Sequence, residues 1–177
     1  MKRTAVFDRT GRHRYRLDRQ WKQARGQTGG QEKDQKDTNT GQAVAFVMLN
    51  PSAADHTKDD PTLRACIQFA QRWAYSSLSV VNLFSYRTAH PQELRKVKRP
   101  VGKENDSHLI QAVTAADKVV LAWGNWGELH GRDRTILQLL TPHAHKLYCL
   151  RRNQSGQPCH PLYIRRDTPL QPFTLTD

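Results

Sequence analysis

No apolar run in this sequence is long enough to cross a bilayer: the longest, Ala43 to Leu49, falls far short of the roughly 20 residues a span needs. Met1-Lys2-Arg3-Thr4 leads into only Ala5-Val6-Phe7 before charges resume, too short for the apolar core of a secretory signal. Cysteine is scarce. Cys66, Cys149 and Cys159 form no even disulfide framework and cannot supply the four thiolates of a typical iron–sulfur cluster. A reduced, cytoplasmic location without membrane association is therefore expected. A zinc site drawn from Cys149, Cys159, His160 and the His143–His145 pair matches no common zinc spacing. No glycine-rich phosphate loop and no internal repeat is visible, so neither a metal nor a cofactor is expected.

Acidic residues are few as well: 16 Asp and Glu stand against 28 Lys and Arg, a formal net charge of +12. Eighteen of the cations are Arg, whose planar fork grips phosphate with paired hydrogen bonds and stacks on bases. A polyanion, DNA above all, is the expected partner. Nine cations fall within residues 1–30 against Asp8 and Asp18. There Ala5–Phe7 and His13–Leu17 flank a turn signal and predict a basic hairpin over 1–25. Arg12, Arg14 and Arg16 on that hairpin, with Arg87, Arg151, Arg152 and Arg165 elsewhere, are the candidate DNA contacts. An edge hairpin with solvated arginines accounts for the same pattern.

Residues 26–42 contain no large apolar side chain and read as a polar linker or long loop. The remainder, 43–177, alternates strand and helix signals. Val44–Leu49, Leu78–Phe84, Val119–Trp123 and Lys146–Leu150 read as strands buried on both faces. Pro61–Trp73, Gly102–Ala116 and Asp133–Leu140 read as helices, the first with Asp60 as N-cap and Pro61 at its first position. The pattern predicts an α/β fold with three α/β/α layers around a mainly parallel sheet of about four strands, plus the N-terminal hairpin.

Function in such sheets gathers beyond the carboxyl ends of the strands. After strand one comes Asn50-Pro51-Ser52-Ala53-Ala54-Asp55, then Asp59-Asp60-Pro61. Turn chemistry explains Asp60 well and Asn50 poorly, which marks Asn50 as a candidate for holding a water or ligand, with Asp55 as a possible auxiliary acid. Asn82 sits inside Val81-Asn82-Leu83-Phe84. A buried amide there must find partners, either in a neighbouring backbone or on the edge of a bound base. Phe84 and Tyr86 are stacking candidates, though core packing is the favoured reading for Phe84. Trp123-Gly124 shapes the end of strand three, and His160, before a proline in a loop, suits a hydrogen-bond donor or general acid.

The runs Met48–Asp55, Asp59–Thr62, Val81–Phe84, Ala122–Gly124 and Gly156–Tyr163 resemble a bacterial family known as domain of unknown function 1643, over about residues 43–165. Their order also resembles that of the uracil-DNA glycosylase superfamily, in which an Asp-Pro or Asn-Pro follows the first strand, an Asn reads the pyrimidine and a His-Pro opens the last catalytic loop. That second resemblance implies that Asn50 positions the hydrolytic water and His160 stabilises the departing base. Asn82 would read a flipped-out pyrimidine, with Pro51, Ser52, Phe84, Tyr86, Trp123 and Gly124 around it. Ser52 stands where the uracil-specific branch has a Tyr against carbon 5, which implies room for a substituted base, such as a modified cytosine of phage DNA. The expected activity is a monofunctional DNA glycosylase. The alternatives are a non-catalytic nucleic-acid binder and an enzyme of free nucleotides or nucleosides.

Overall fold

Continuous apolar strands and capped amphipathic helices assemble an α/β structure on one sheet. The computed structural model describes residues 1–22 and 42–175; apart from Gln42, the polar 26–42 segment lies outside them. The strands are β1 (Lys2–Phe7), β2 (Arg14–Gln20), β3 (Ala43–Met48), β4 (Ser77–Asn82), β5 (Lys118–Leu121), β6 (Leu147–Cys149) and β7 (Gln171–Pro172). They lie in the order β1-β2-β4-β3-β5-β6-β7. β4, β3, β5 and β6 pair in parallel, whereas β1–β2, β2–β4 and β6–β7 are antiparallel. The sheet is thus mixed and seven-stranded, larger than the one of about four strands that the periodicity predicts, because the N-terminal hairpin and β7 join the four parallel strands in antiparallel pairing. Two residues of β7 are too short to carry a pattern, and the hairpin's attachment to β4, with Leu17 opposite Val80, is non-local and leaves no local signal.

The helices are α1 (Pro61–Arg72), α2 (Asn105–Ala115) and α3 (Arg132–Leu139). Asp60 caps α1, its carboxylate accepting the Leu63 amide at 2.7 Å. α2 begins after the predicted Gly102, whose amide is held by Ser85 Oγ at 2.7 Å. Residues of β3 alternate between two apolar clusters. Ala45 and Val47 join Leu109 and Val113 of α2 and Ile136 of α3; Val44, Phe46 and Met48 join Leu63, Ile67 and Phe69 of α1.

Leu17 belongs to the second cluster and is fully buried, so the packed body begins in β2 and not at Ala43. The hairpin is further tied to the loop before α1. Buried Arg19 pairs with Asp59 at 2.7 Å, and Arg3 reaches the same carboxylate at 3.2 Å. Because β3, β4, β5 and β6 point the same way, the loops that follow them gather at one edge.

Candidate active site

A cavity of about 610 Å³ opens at that edge. Asn50 follows β3, Asn82 ends β4, Trp123 and Gly124 follow β5, and His160 lies in the loop after β6; all line it. Ser52 and Arg151 line it too, as do Arg14 of β2 and the α1 cap Asp60.

Each neutral side chain is held differently. The Asn50 amide donates to the carbonyl oxygens of Pro51 (3.0 Å) and Thr88 (2.8 Å), which leaves Oδ1 as an acceptor. Asn82 is 1% exposed, and both its Nδ2 and Oδ1 are buried with no hydrogen-bond partner among the described residues. Leaving such an amide unpaired costs about 1–3 kcal/mol per group. The strand end that presents it is pinned from outside: Asn105 Nδ2 donates to the Asn82 carbonyl at 2.9 Å, and Arg132 Nε to the Leu83 carbonyl at 2.7 Å. Arg132 is itself paired with Asp106. The His160 Nδ1 accepts the Leu162 amide at 3.3 Å, so the neutral ring carries its proton on Nε2 and is a donor there. Burial lowers the His160 pKa, partly opposed by the Asp60 carboxylate, and the ring stays neutral at pH 7.

Trp123 is buried and donates from Nε1 to Gln157 Oε1 at 2.6 Å, while Gln157 donates on to Asp133 at 2.7 Å. Ser52 Oγ donates to Asp60 at 2.5 Å. Cys66 also lines the cavity, but burial raises its thiol pKa far above neutrality, which excludes a thiolate nucleophile there. Among the described residues, no group of three or more His, Cys, Asp or Glu side chains is placed to hold a metal ion, and no helix is long and apolar enough to cross a membrane.

Several expected contacts fall elsewhere. Phe84 is buried in the first apolar cluster: β4 ends at Asn82, so the strand alternation that would set Phe84 beside Asn82 lapses. Tyr86 packs against that cluster, with its ring edge-on to His13 at 5.9 Å. Pro51 is buried outside the cavity lining and contributes its carbonyl, which also accepts the Thr88 amide. Asp55 closes an exposed turn. Hydrogen bonds from the Thr57 hydroxyl and amide and from the Lys58 amide hold its carboxyl below the usual range, and it lies outside the cavity lining.

The arginines scatter. Arg14 is buried within the cavity wall, and Arg16 pairs with Asp18. Arg87 covers Phe7 and donates to Gly11, Arg152 covers Phe173, and Arg165 pairs with Asp167. Arg12 and Arg151 remain exposed. Sequence reasoning missed the exposed basic run Arg95, Lys96, Lys98, Arg99 and Lys103, which follows the cavity-lining Thr88, Ala89 and Pro91. In it Arg95 stacks on the cavity residue Trp126 at 4.7 Å. It also missed Leu162 and Tyr163, 38% and 80% exposed, on the rim next to His160. The signals were present as a cation cluster and as apolar residues after His-Pro.

A family model described as "Protein of unknown function (DUF1643)" matches residues 14–162. It starts in β2, earlier than the motifs that suggest the family. No curated protein and no solved structure matches the chain.

Proposed function

Since the chain belongs to the DUF1643 family, whose description names no activity, we propose its function from the cavity: a monofunctional DNA glycosylase that removes a pyrimidine, one substituted at carbon 5 included. The observation that carries this reading is the meeting of Asn50, Asn82 and His160 on one cavity, with the Asn82 amide buried and unpaired. An amide offers one donor and one acceptor, the complement of a pyrimidine edge. A base flipped into the cavity would pair with Asn82 and relieve its cost. His160 Nε2–H donates to the base oxygen that gains charge as the C–N bond breaks. Asn50 Oδ1 accepts a hydrogen bond from the water whose oxygen bonds to the anomeric carbon. The water's remaining proton ends on the departing base, and an abasic sugar is left.

The motif order shared with the uracil-DNA glycosylase superfamily supports the same roles. Ser52, turned toward Asp60, puts a small group where that superfamily's uracil-specific branch has a ring, which suits a carbon-5 substituent. A substituted base of phage DNA as substrate would make the enzyme an antiviral factor. Leu162 and Tyr163 are placed to fill the gap a flipped base leaves in the stack, and the exposed 95–103 cations to hold phosphates.

The test is incubation with DNAs bearing uracil, mismatched thymine, or hydroxymethylated or glucosylated cytosine, followed by alkali. At least one should break at the modified site. His160→Ala should slow that reaction by about 10²–10³-fold, and Asn50→Ala should also lower it. Inertness toward every DNA, or full activity of both variants, rejects the reading.

A further inference from the structure

Arg14 has no part in the reaction above, yet it lines the same cavity at 4% exposure. The same lining includes the apolar side chains of Leu17, Leu63, Cys66 and Val80, and a buried cation is costly unless partnered. The other two buried arginines are fully engaged. Arg19 has Asp59 and the carbonyls of Asp18 and Asp55, and Arg132 has Asp106 and the Leu83 carbonyl. Arg14 forms no ion pair among the described residues. Its Nη1 donates to the Ala54 carbonyl at 2.5 Å, and its Nε is buried without a partner among those residues. The nearby Asp60 carboxylate is already engaged by Ser52 and Leu63.

Among the described residues nothing engages the Nε–Nη2 edge of the guanidinium, two parallel donors that match the paired oxygens of a carboxylate or phosphate. We propose that Arg14 forms an oxyanion subsite in this cavity and binds a carboxylate or phosphate group carried by the ligand. Two sources share that chemistry. One is a carboxylate attached to a base that sits at Asn82, and the other is the phosphate of a free nucleotide, since Arg14 and Asn82 line the same cavity. The inference concerns the same cavity as the glycosylase reading but does not need the glycosidic step.

Calorimetric titration of the full chain with uridine, 5-carboxyuridine and uridine 5′-monophosphate tests it. At least one anionic ligand should bind about tenfold or more tighter than uridine. Arg14→Gln should abolish that advantage and change the affinity for uridine by less than about twofold. An advantage confined to 5-carboxyuridine assigns the subsite to a substituted base; one confined to the monophosphate assigns it to free nucleotides. Equal affinities, no measurable binding of either anion, or an advantage that survives Arg14→Gln overturns the proposal. If that variant does not fold, Arg14→Lys, which keeps the charge but loses the paired donors, makes the same comparison, and an advantage that survives it undiminished overturns the proposal. Absence of strand breaks in the DNA assay would remove the glycosylase reading without touching this result.

Discussion

Asn50 and Asn82 carry the same amide into the same cavity but are prepared for different work. Two backbone carbonyls fix the Asn50 NH₂ group, leaving one acceptor in a set direction, whereas Asn82 has no partner on either atom among the described residues. The first arrangement suits a single water, the second a heterocycle with complementary groups. His160 has a measurable signature of its own. Its pKa is lowered in the folded protein by burial, so below the ordinary value of about 6.5 the unfolded chain binds a proton that the native ring refuses. This contribution to stability is present above that value and is lost as pH falls from it toward the native pKa. Melting temperatures at pH 7.5 and 5 should therefore drop more for the wild type than for His160→Gln.

At the scale of elements, the turn after β5 is built around the close packing of Trp123 on Gly127. A Cβ at residue 127 would fall inside the van der Waals envelope of Trp123 Cδ1 and Nε1. Gly127→Ala should then force the indole off Gln157 and cost about 1–3 kcal/mol, read from urea melts. The sequence made some elements plain and hid others for physical reasons. Asp60-Pro61 marks α1 because capping is local, and Asn82 stands out because an amide in an apolar run is an anomaly. Arg14 gave no such sign: its place in the cavity depends on β2 pairing with β4, some sixty residues away. Asn50, Asn82 and His160 were legible as strand-end residues since parallel strands bring their carboxyl ends together. Phe84 lies in the core, as its place in an apolar run suggested, although the strand stops two residues earlier than that run.

At the scale of the molecule, four of the N-terminal cations are structural. Arg3 and Arg19 hold Asp59, Arg16 holds Asp18, and Arg14 is inside. Deleting the hairpin would remove Leu17 from the core and test folding, not DNA binding. Replacing Arg95, Lys96, Lys98 and Arg99 with Gln should instead lower DNA affinity and reduce the slope of log K against log salt by about 0.9 for each phosphate that is no longer neutralised. Arg16→Gln should leave that slope unchanged, as titrations at several salt concentrations would show. The placement of the four tryptophans has an optical consequence. Trp123 and Trp126 line the cavity, while Trp21 and Trp73 pack against the α1-side cluster. Occupancy of the cavity should thus change the intrinsic fluorescence of two indoles and leave the other two as an internal reference, so a ligand can be followed without a label and without turnover.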